Sequence, residues 1–146
     1  MSRTRNYLHI VFGTKCRART IYLDRRIRLY SYIIRTVENK KSEVVAINGM
    51  EDHVHILVNL HSTVALADLV KAVKTSSSKW IRESNLFSMF EGWASEYYAC
   101  SVSPSHVDGV KAYIDGQQTH HAGKDYKEEV RDFVMKMGME LYKDEL

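Results

Sequence analysis

The sequence predicts an α+β fold: a four-stranded antiparallel sheet with helices packed on one face, followed by a C-terminal helix that bears a tyrosine. Three observations lead there. Four short segments are rich in β-branched and aromatic residues, and the stretches between them carry apolar residues at helical spacing. These elements run strand, helix, strand, strand, helix, strand, helix; up to the fourth strand that order is the split βαβ plan of ferredoxin-like and RRM-like domains. The third strand has one wholly apolar face, which demands a layer of helices over it.

Tyr7 to Phe12 (YLHIVF) is the first strand. The irregular stretch after it, Gly13 to Thr20, is basic and holds Lys15, Arg17 and Arg19. Asp24 to Asn39 reads as a helix with Ile27, Tyr30, Ile34 and Val37 inside and Asp24 as its cap. Glu43 to Ile47 (EVVAI) is a short buried strand closed by a turn at Asn48-Gly49. His53 to Leu60 (HVHILVNL) is the third strand and pairs with the second. Ala65 to Arg82 is the second helix, with Leu66, Leu69, Val73, Ser77, Trp80 and Ile81 inside and Lys71, Lys74, Lys79 and Arg82 outside. Tyr97 to Val102 (YYACSV) is the fourth strand and lies at a sheet edge. Pro104 and Ser105 open a helix that runs through Val107, Val110 and Ile114 to about Thr119, and a last helix spans about Tyr126 to Met137.

With 146 residues, 45% of them apolar, the chain suits one compact domain spanning 1–146, and 1 Pro and 7 Gly leave no linker to divide it. A net charge of +3 and a pI near 8.8 permit nucleic-acid binding and fit an ordinary solvated surface equally well. Cys16 and Cys100 are too few for a disulfide framework and lack metal-site spacing, so both are expected as thiols of a cytoplasmic protein. No apolar run nears the roughly 18 residues of a membrane span, and the basic N-terminus lacks the apolar segment of a signal peptide. The terminal Lys143-Asp144-Glu145-Leu146 matches an endoplasmic-reticulum retention signal, which has meaning only in a secreted chain and is read as chance.

Alternation along the third strand puts His53, His55, Leu57 and Asn59 on one face and Val54, Ile56, Val58 and Leu60 on the other. The apolar set must lie under the helices, so the two histidines are expected side by side on the open face. Two neutral imidazoles so placed suit one divalent cation; a surface strand with two exposed histidines gives the same pattern. Glu51 and Asp52, just upstream, are placed to orient an imidazole or to sit as solvated turn residues. On the helix after Pro104, Gln117 falls about 20° from the direction of Val110, and Tyr113 lies one turn before it on the same face. A glutamine on a buried stripe needs a polar partner. Tyr113 also fits a core-edge residue, with Gln117 marking a frayed helix end. Taken with the histidines, the pair suggests more: two imidazoles and an amide oxygen leave positions open on a Mg²⁺- or Mn²⁺-like ion, and a tyrosine one turn away would sit beside a phosphate held there.

These residues resemble the small single-tyrosine HUH transposases of bacterial and archaeal insertion sequences, the IS200-like family, and their domesticated relatives associated with repeated extragenic palindromes. Asp52-His53-Val54-His55 is similar to the family's histidine, hydrophobic, histidine motif, and Tyr113-Ile114-Asp115-Gly116-Gln117 to its Tyr-x-x-x-Gln. Ala72 to Trp80 (AVKTSSSKW), Gly92-Trp93, Ser101-Val102-Ser103 and His120-His121 extend the likeness from about Tyr7 to His121. The resemblance implies His53, His55 and Gln117 as metal ligands and Tyr113 as nucleophile. It also implies cleavage of single-stranded DNA beside a hairpin through a 5′-phosphotyrosine, and a homodimer. Pairing through the fourth strand, whose sequence has no proline or charge to blunt an edge, would let Tyr113 and Gln117 of one chain reach the histidines of the other. On charge alone Lys15, Arg17, Arg19, Lys71, Lys74 and Lys79 are candidate phosphate contacts, each equally a solvated cation. His120 and His121 are placed to approach metal or DNA, or simply to end the helix. Two other functions fit the fold: a non-catalytic single-stranded nucleic-acid-binding module of RRM-like type, and a phosphodiesterase that uses water with Tyr113 merely structural.

Overall fold

The structure, a computed structural model, describes residues 2–120, 125–136 and 138. Met137, His121 and Lys143 to Leu146 lie outside the described residues, as does the side chain of His120. Four strands, β1 (Tyr7–Gly13), β2 (Glu43–Met50), β3 (His53–Asn59) and β4 (Tyr98–Val102), form one antiparallel sheet in the order β2-β3-β1-β4. Helices α1 (Arg26–Asn39) and α2 (Leu66–Ser84) connect them as the split βαβ plan requires. After β4 come α3 (Val107–Asp115), the short α4 (Gln117–His120) and α5 (Tyr126–Lys136).

Strand alternation sorts the core in two. Ile10 and Phe12 of β1 and Val54, Ile56 and Val58 of β3 meet Leu29, Ile33 and Val37 of α1 and Leu69, Val73 and Ile81 of α2 in one apolar layer. On the other face, Leu57 and Ala46 pack under Ile114 of α3, and Val11 packs under Tyr126, Val130 and Val134 of α5. The histidine face is therefore not open. His53 and His55 are 0% and 1% exposed, because α3 to α5 fold back over it. A sheet face carrying Leu57 and Val11 beside two imidazoles is too apolar to leave to water.

Local departures from the sequence expectations have similar causes. In α1, Leu29 and Ile33 point inward with Tyr30 and Val37, while Ile27 is 60% exposed, so the helix is rotated from the predicted stripe. Asp24 sits in a 3₁₀ turn, Leu23–Arg25, and α1 starts without a side-chain cap. Asn48-Gly49 is no turn: β2 runs through to Met50, and the hairpin turns at Glu51 and Asp52. Gly49 is needed there for a different reason. A Cβ on it would lie 2.1 Å from the His53 carbonyl oxygen, so only glycine lets the two strands close. The predicted helix from Pro104 to Thr119 is a 3₁₀ turn, then α3, a break at Gly116, and α4. Buried Ser77 of α2 accepts a hydrogen bond from the Trp93 indole at 2.9 Å, which ties α2 to the segment leading into β4.

Candidate functional site

β3 delivers His53 and His55 to the end of the sheet covered by α4 and α5. Opposite them in register are Gly13 and Val11 of β1 and Met50 and Asn48 of β2. Asn48 settles the helix break. Its side-chain amide donates to the Asp115 carbonyl at 3.1 Å and exchanges two hydrogen bonds of 2.9 Å with Gln118. Gln118 in turn donates to the Gly49 carbonyl at 2.7 Å. Pinned this way, the α3–α4 junction aims Gln117, fully buried, at His53, with its Oε1 3.2 Å from Nε2. Tyr113 comes in from the last turn of α3, with its ring centroid 5.8 Å from that of His55.

The centre of the cluster is a residue that sequence reasoning did not single out. Glu129 of α5, 3% exposed, places Oε1 2.8 Å from Nε2 of both His53 and His55. Its other oxygen accepts hydrogen bonds from the Tyr113 hydroxyl and from the Gln117 amide, the latter at 3.1 Å. The signal was present: Glu129 lies inside the apolar stripe of Tyr126, Val130 and Val134, where a carboxylate must have partners. Two flanking contacts hold the imidazoles. Asp52 Oδ1 lies 2.7 Å from His53 Nδ1, as one reading of the residues just upstream anticipated. His9 of β1, buried, has Nε2 2.8 Å from His55 Nδ1. Tyr126 stacks on His53 with centroids 4.3 Å apart and planes 13° from parallel. Gly13 makes room for that ring, since a Cβ there would lie 2.8 Å from it.

Burial works against charge throughout the cluster, and the pairing decides the outcome. For His53, burial favours the neutral form, but the hydrogen bonds to Asp52 and Glu129 outweigh it and raise the pKa to about 9. Burial likewise disfavours a charged Glu129, yet the hydrogen bonds from His53 and His55 hold its carboxyl well below the usual range. His9 is pushed down to about 3, by burial first and by neighbouring His55 second, and is neutral. Burial raises the Tyr113 phenol, and the bond to Glu129 raises it further, so it stands as a neutral hydroxyl.

All four residues that the resemblance placed in one centre meet here, and they do so within a single chain. The candidate phosphate contacts are scattered by comparison. Lys15 and Arg17 are exposed in the loop after β1, where Cys16 and Arg17 take left-handed φ of 58° and 54°. Arg17 borders a small cleft beside Tyr126, next to the His53 end of the sheet. Arg19 is paired loosely with Glu51 at 3.9 Å. Lys71 and Lys79 are exposed on α2. Lys74 is engaged within the chain, its ammonium donating to the carbonyls of Ala94, Ser95 and Glu96 at 2.7, 3.3 and 2.9 Å. An open groove of about 900 Å³, lined by Lys79, Arg82, Ser78 and Trp93 among others, runs along α2 on the other side of the sheet. Both cysteines are free, and among the described residues no helix is long and apolar enough to cross a membrane.

His53, His55 and Glu129 offer ligand atoms within 4.8 Å of one another, a group able to hold a divalent metal ion. A comparison with curated proteins gives no match. Among solved structures, a protein of Deinococcus radiodurans R1 described as a candidate transposase is 22% identical, with 80% of this chain and 98% of that one covered and a TM-score of 0.61. A REP-associated tyrosine transposase bound to a REP hairpin is 14% identical, with 83% and 74% covered and a TM-score of 0.59. These likenesses establish the fold. The family profile described as transposase IS200 like matches residues 2–117, most of the chain, from β1 through Gln117. The chain belongs to the IS200-like transposase family.

Proposed function

We propose that this transposase is a metal-dependent endonuclease and strand transferase for single-stranded DNA, with Tyr113 as its nucleophile. The observation that carries this reading is the meeting of a tyrosine hydroxyl with two imidazole nitrogens, an amide and a carboxylate at one point. His53 and His55 would hold a divalent cation through Nε2, and Gln117 and Glu129 would supply oxygens. Nitrogen and hard oxygen donors in this mix suit Mg²⁺ or Mn²⁺. A cation bound there would supply Lewis acidity to the scissile phosphate. Asp52 keeps the His53 Nε2 turned inward, and the Asn48–Gln118 pair keeps Gln117 in reach.

The chain's own chemistry is a transesterification. Tyr113 Oη bonds to phosphorus, the bond from phosphorus to the 3′ oxygen breaks, and the phenolic proton is balanced by one gained on the departing 3′-OH. The 5′-phosphotyrosine keeps the energy of the phosphodiester, so rejoining needs no nucleotide cofactor. In the arrangement seen, Tyr113 is bonded to Glu129; attack requires that contact to be exchanged for the phosphate.

A structural relative holds a REP hairpin, and hairpin-bearing single strands are the proposed substrate here. Lys15, Arg17, Arg19, Lys71 and Lys79 are the proposed backbone contacts, with Lys74 the weakest candidate because its ammonium is engaged. The proposed working form is a cytoplasmic homodimer joined at the β4 edge. A non-catalytic RRM-like module is disfavoured, because α3 to α5 cover the sheet face that would stack bases.

The test is a covalent adduct. Wild-type protein incubated with single-stranded hairpins, their flanking bases and Mg²⁺ or Mn²⁺ is expected to yield an SDS-stable protein–DNA band and a free 3′-OH. Tyr113→Phe is expected to yield neither while still binding DNA. Wild-type-like nicking by Tyr113→Phe would transfer the attack to water and overturn the reading. Because the four groups meet in one chain, mixing Tyr113→Phe with His53→Ala subunits is expected to restore no cleavage. Recovered activity would show a site shared across the dimer.

A further inference from the structure

We infer that His9 is a positioning residue for the metal centre: by accepting a hydrogen bond from His55 Nδ1 it fixes the tautomer and ring orientation that present His55 Nε2 to the cation. The inference rests on the metal-dependent reading of the site given above. His9 lies on β1, one strand away from the histidine pair and opposite Leu57 in register. Alternation puts it on the same face as Val11, under α5. Its Nε2 is 2.8 Å from His55 Nδ1, and it is 5% exposed.

A neutral imidazole carries one proton on two nitrogens. If Nε2 of His55 gives its lone pair to a cation, the proton must sit on Nδ1, and on a ring 1% exposed that N–H needs an acceptor beside it. The nitrogen within reach is Nε2 of His9. Its own proton then sits on Nδ1, and the pair stays neutral. His53 has the parallel arrangement, with Asp52 at its Nδ1. The two ligands differ in the partner's charge: a carboxylate stands behind His53, a neutral imidazole behind His55. A second carboxylate behind His55 would crowd another negative charge near Glu129 in a dry site, which an imidazole avoids. The ring of His9 is itself held by Phe133 of α5, edge to face at 5.0 Å between centroids, so its aim is set by packing.

The test uses the full chain, Mn²⁺ binding followed by electron paramagnetic resonance, and ¹⁵N-histidine NMR with Mg²⁺. In Mg²⁺-saturated wild type, His55 is expected to carry its proton on Nδ1, and His9 to be unprotonated at Nε2. His9→Leu, which keeps bulk and removes the acceptor, is expected to weaken Mn²⁺ binding by about 10- to 100-fold. His9→Gln, whose amide oxygen reaches nearly the same point, is expected to recover most of that loss at a similar melting temperature. Equal Mn²⁺ affinity in wild type and a folded His9→Leu overturns the inference. So does a His9 Nε2 proton in the Mg²⁺ form, an outcome that needs no variant to fold. Wild type that binds no Mn²⁺, like His53→Ala, would instead remove the metal reading on which the inference rests.

Discussion

The two faces of the sheet are built on opposite terms. Between the sheet and α1/α2, every buried strand side chain is apolar, and the layer holds by excluded water and close packing. Between the sheet and α4/α5, His9, His53, His55, Gln117 and Glu129 are equally buried, each 5% exposed or less, and hold one another by hydrogen bonds and charge. Burial is the same; what replaces water differs. The first face is most tolerant of apolar changes that keep volume. The second tolerates only changes that keep its donors, acceptors and charges matched. The candidate site sits on the second face, where an altered proton or an added cation would rearrange the partners.

The largest effect should come from the dry face. Ile56 points into the α1/α2 layer and is 2% exposed. Ile56→Ala should cost about 2–5 kcal/mol, the loss for a buried aliphatic truncation with its cavity. That loss should be the same at pH 6 and pH 9, and Mn²⁺ affinity of the folded protein should be unchanged, although His55 is the preceding residue in the chain. Denaturant melts at both pH values with a metal titration check this. A pH-dependent loss would mean that the two layers are coupled through β3.

The dry face was also the legible one. Alternation in HVHILVNL assigned Val54, Ile56 and Val58 to the core, and the order of elements gave the sheet plan. The inner stripe of α1 was displaced, because several aliphatic residues compete for one face and only packing chooses Leu29 and Ile33 over Ile27. On the other face the sequence offered His53, His55, Tyr113 and Gln117 through motif spacing. It did not offer Glu129 or His9, which reach the cluster only because α5 folds back and β1 pairs with β3. A turn dipeptide, Asn48-Gly49, misled for the same reason: its amide and its missing Cβ serve contacts with Gln118 and with β3, which spacing along the chain does not reveal.

A smaller effect, with a signature the dry face cannot produce, is expected at Glu129. Glu129→Gln keeps shape and removes the charge that faces His53 and His55, and should cost about 1–3 kcal/mol near neutral pH. The sign of the pH dependence follows from His53. Its folded pKa of about 9 lies above the ordinary value of 6.5. Its contribution to stability is therefore complete below pH 6.5 and is lost as pH rises through 9. Metal-free wild type should show a falling melting temperature across that window, and Glu129→Gln should flatten the fall. Glu129 itself is held below its ordinary range, so its contribution is present above about pH 4.5 and lost only in acid. With Mg²⁺ saturating, the neutral-to-alkaline trend should reverse, because the cation displaces the proton from His53 and binds more tightly as pH rises. Mn²⁺ affinity of Glu129→Gln should fall about tenfold through the lost ligand charge. Tighter binding in the variant would show that the carboxylate blocks the cation rather than holding it.

The smallest effects should separate cations that the sequence treated alike. Lys79 and Lys74 both lie on α2 and both line the groove beside Trp93. Lys79 is exposed, so its ammonium is free to meet a phosphate. Lys74 is half-buried, burial lowers its pKa, and its three donors are engaged by the carbonyls of residues 94 to 96. Those carbonyls belong to the segment that also passes Gly13, through the Ala94 amide, and leads into β4. Lys79→Ala should leave the melting temperature within error. It should weaken hairpin DNA binding uniformly across sequences, and lower the slope of log affinity against log salt by about one for a duplex contact or slightly less for a single strand. Lys74→Ala should do the reverse, with a melting temperature reduced by a few degrees and a salt slope unchanged, because those carbonyls lose their partner while no phosphate does. Equal salt slopes for wild type and Lys79→Ala would take this groove out of the DNA path. A changed slope in Lys74→Ala would mean that its ammonium leaves the carbonyls when DNA arrives.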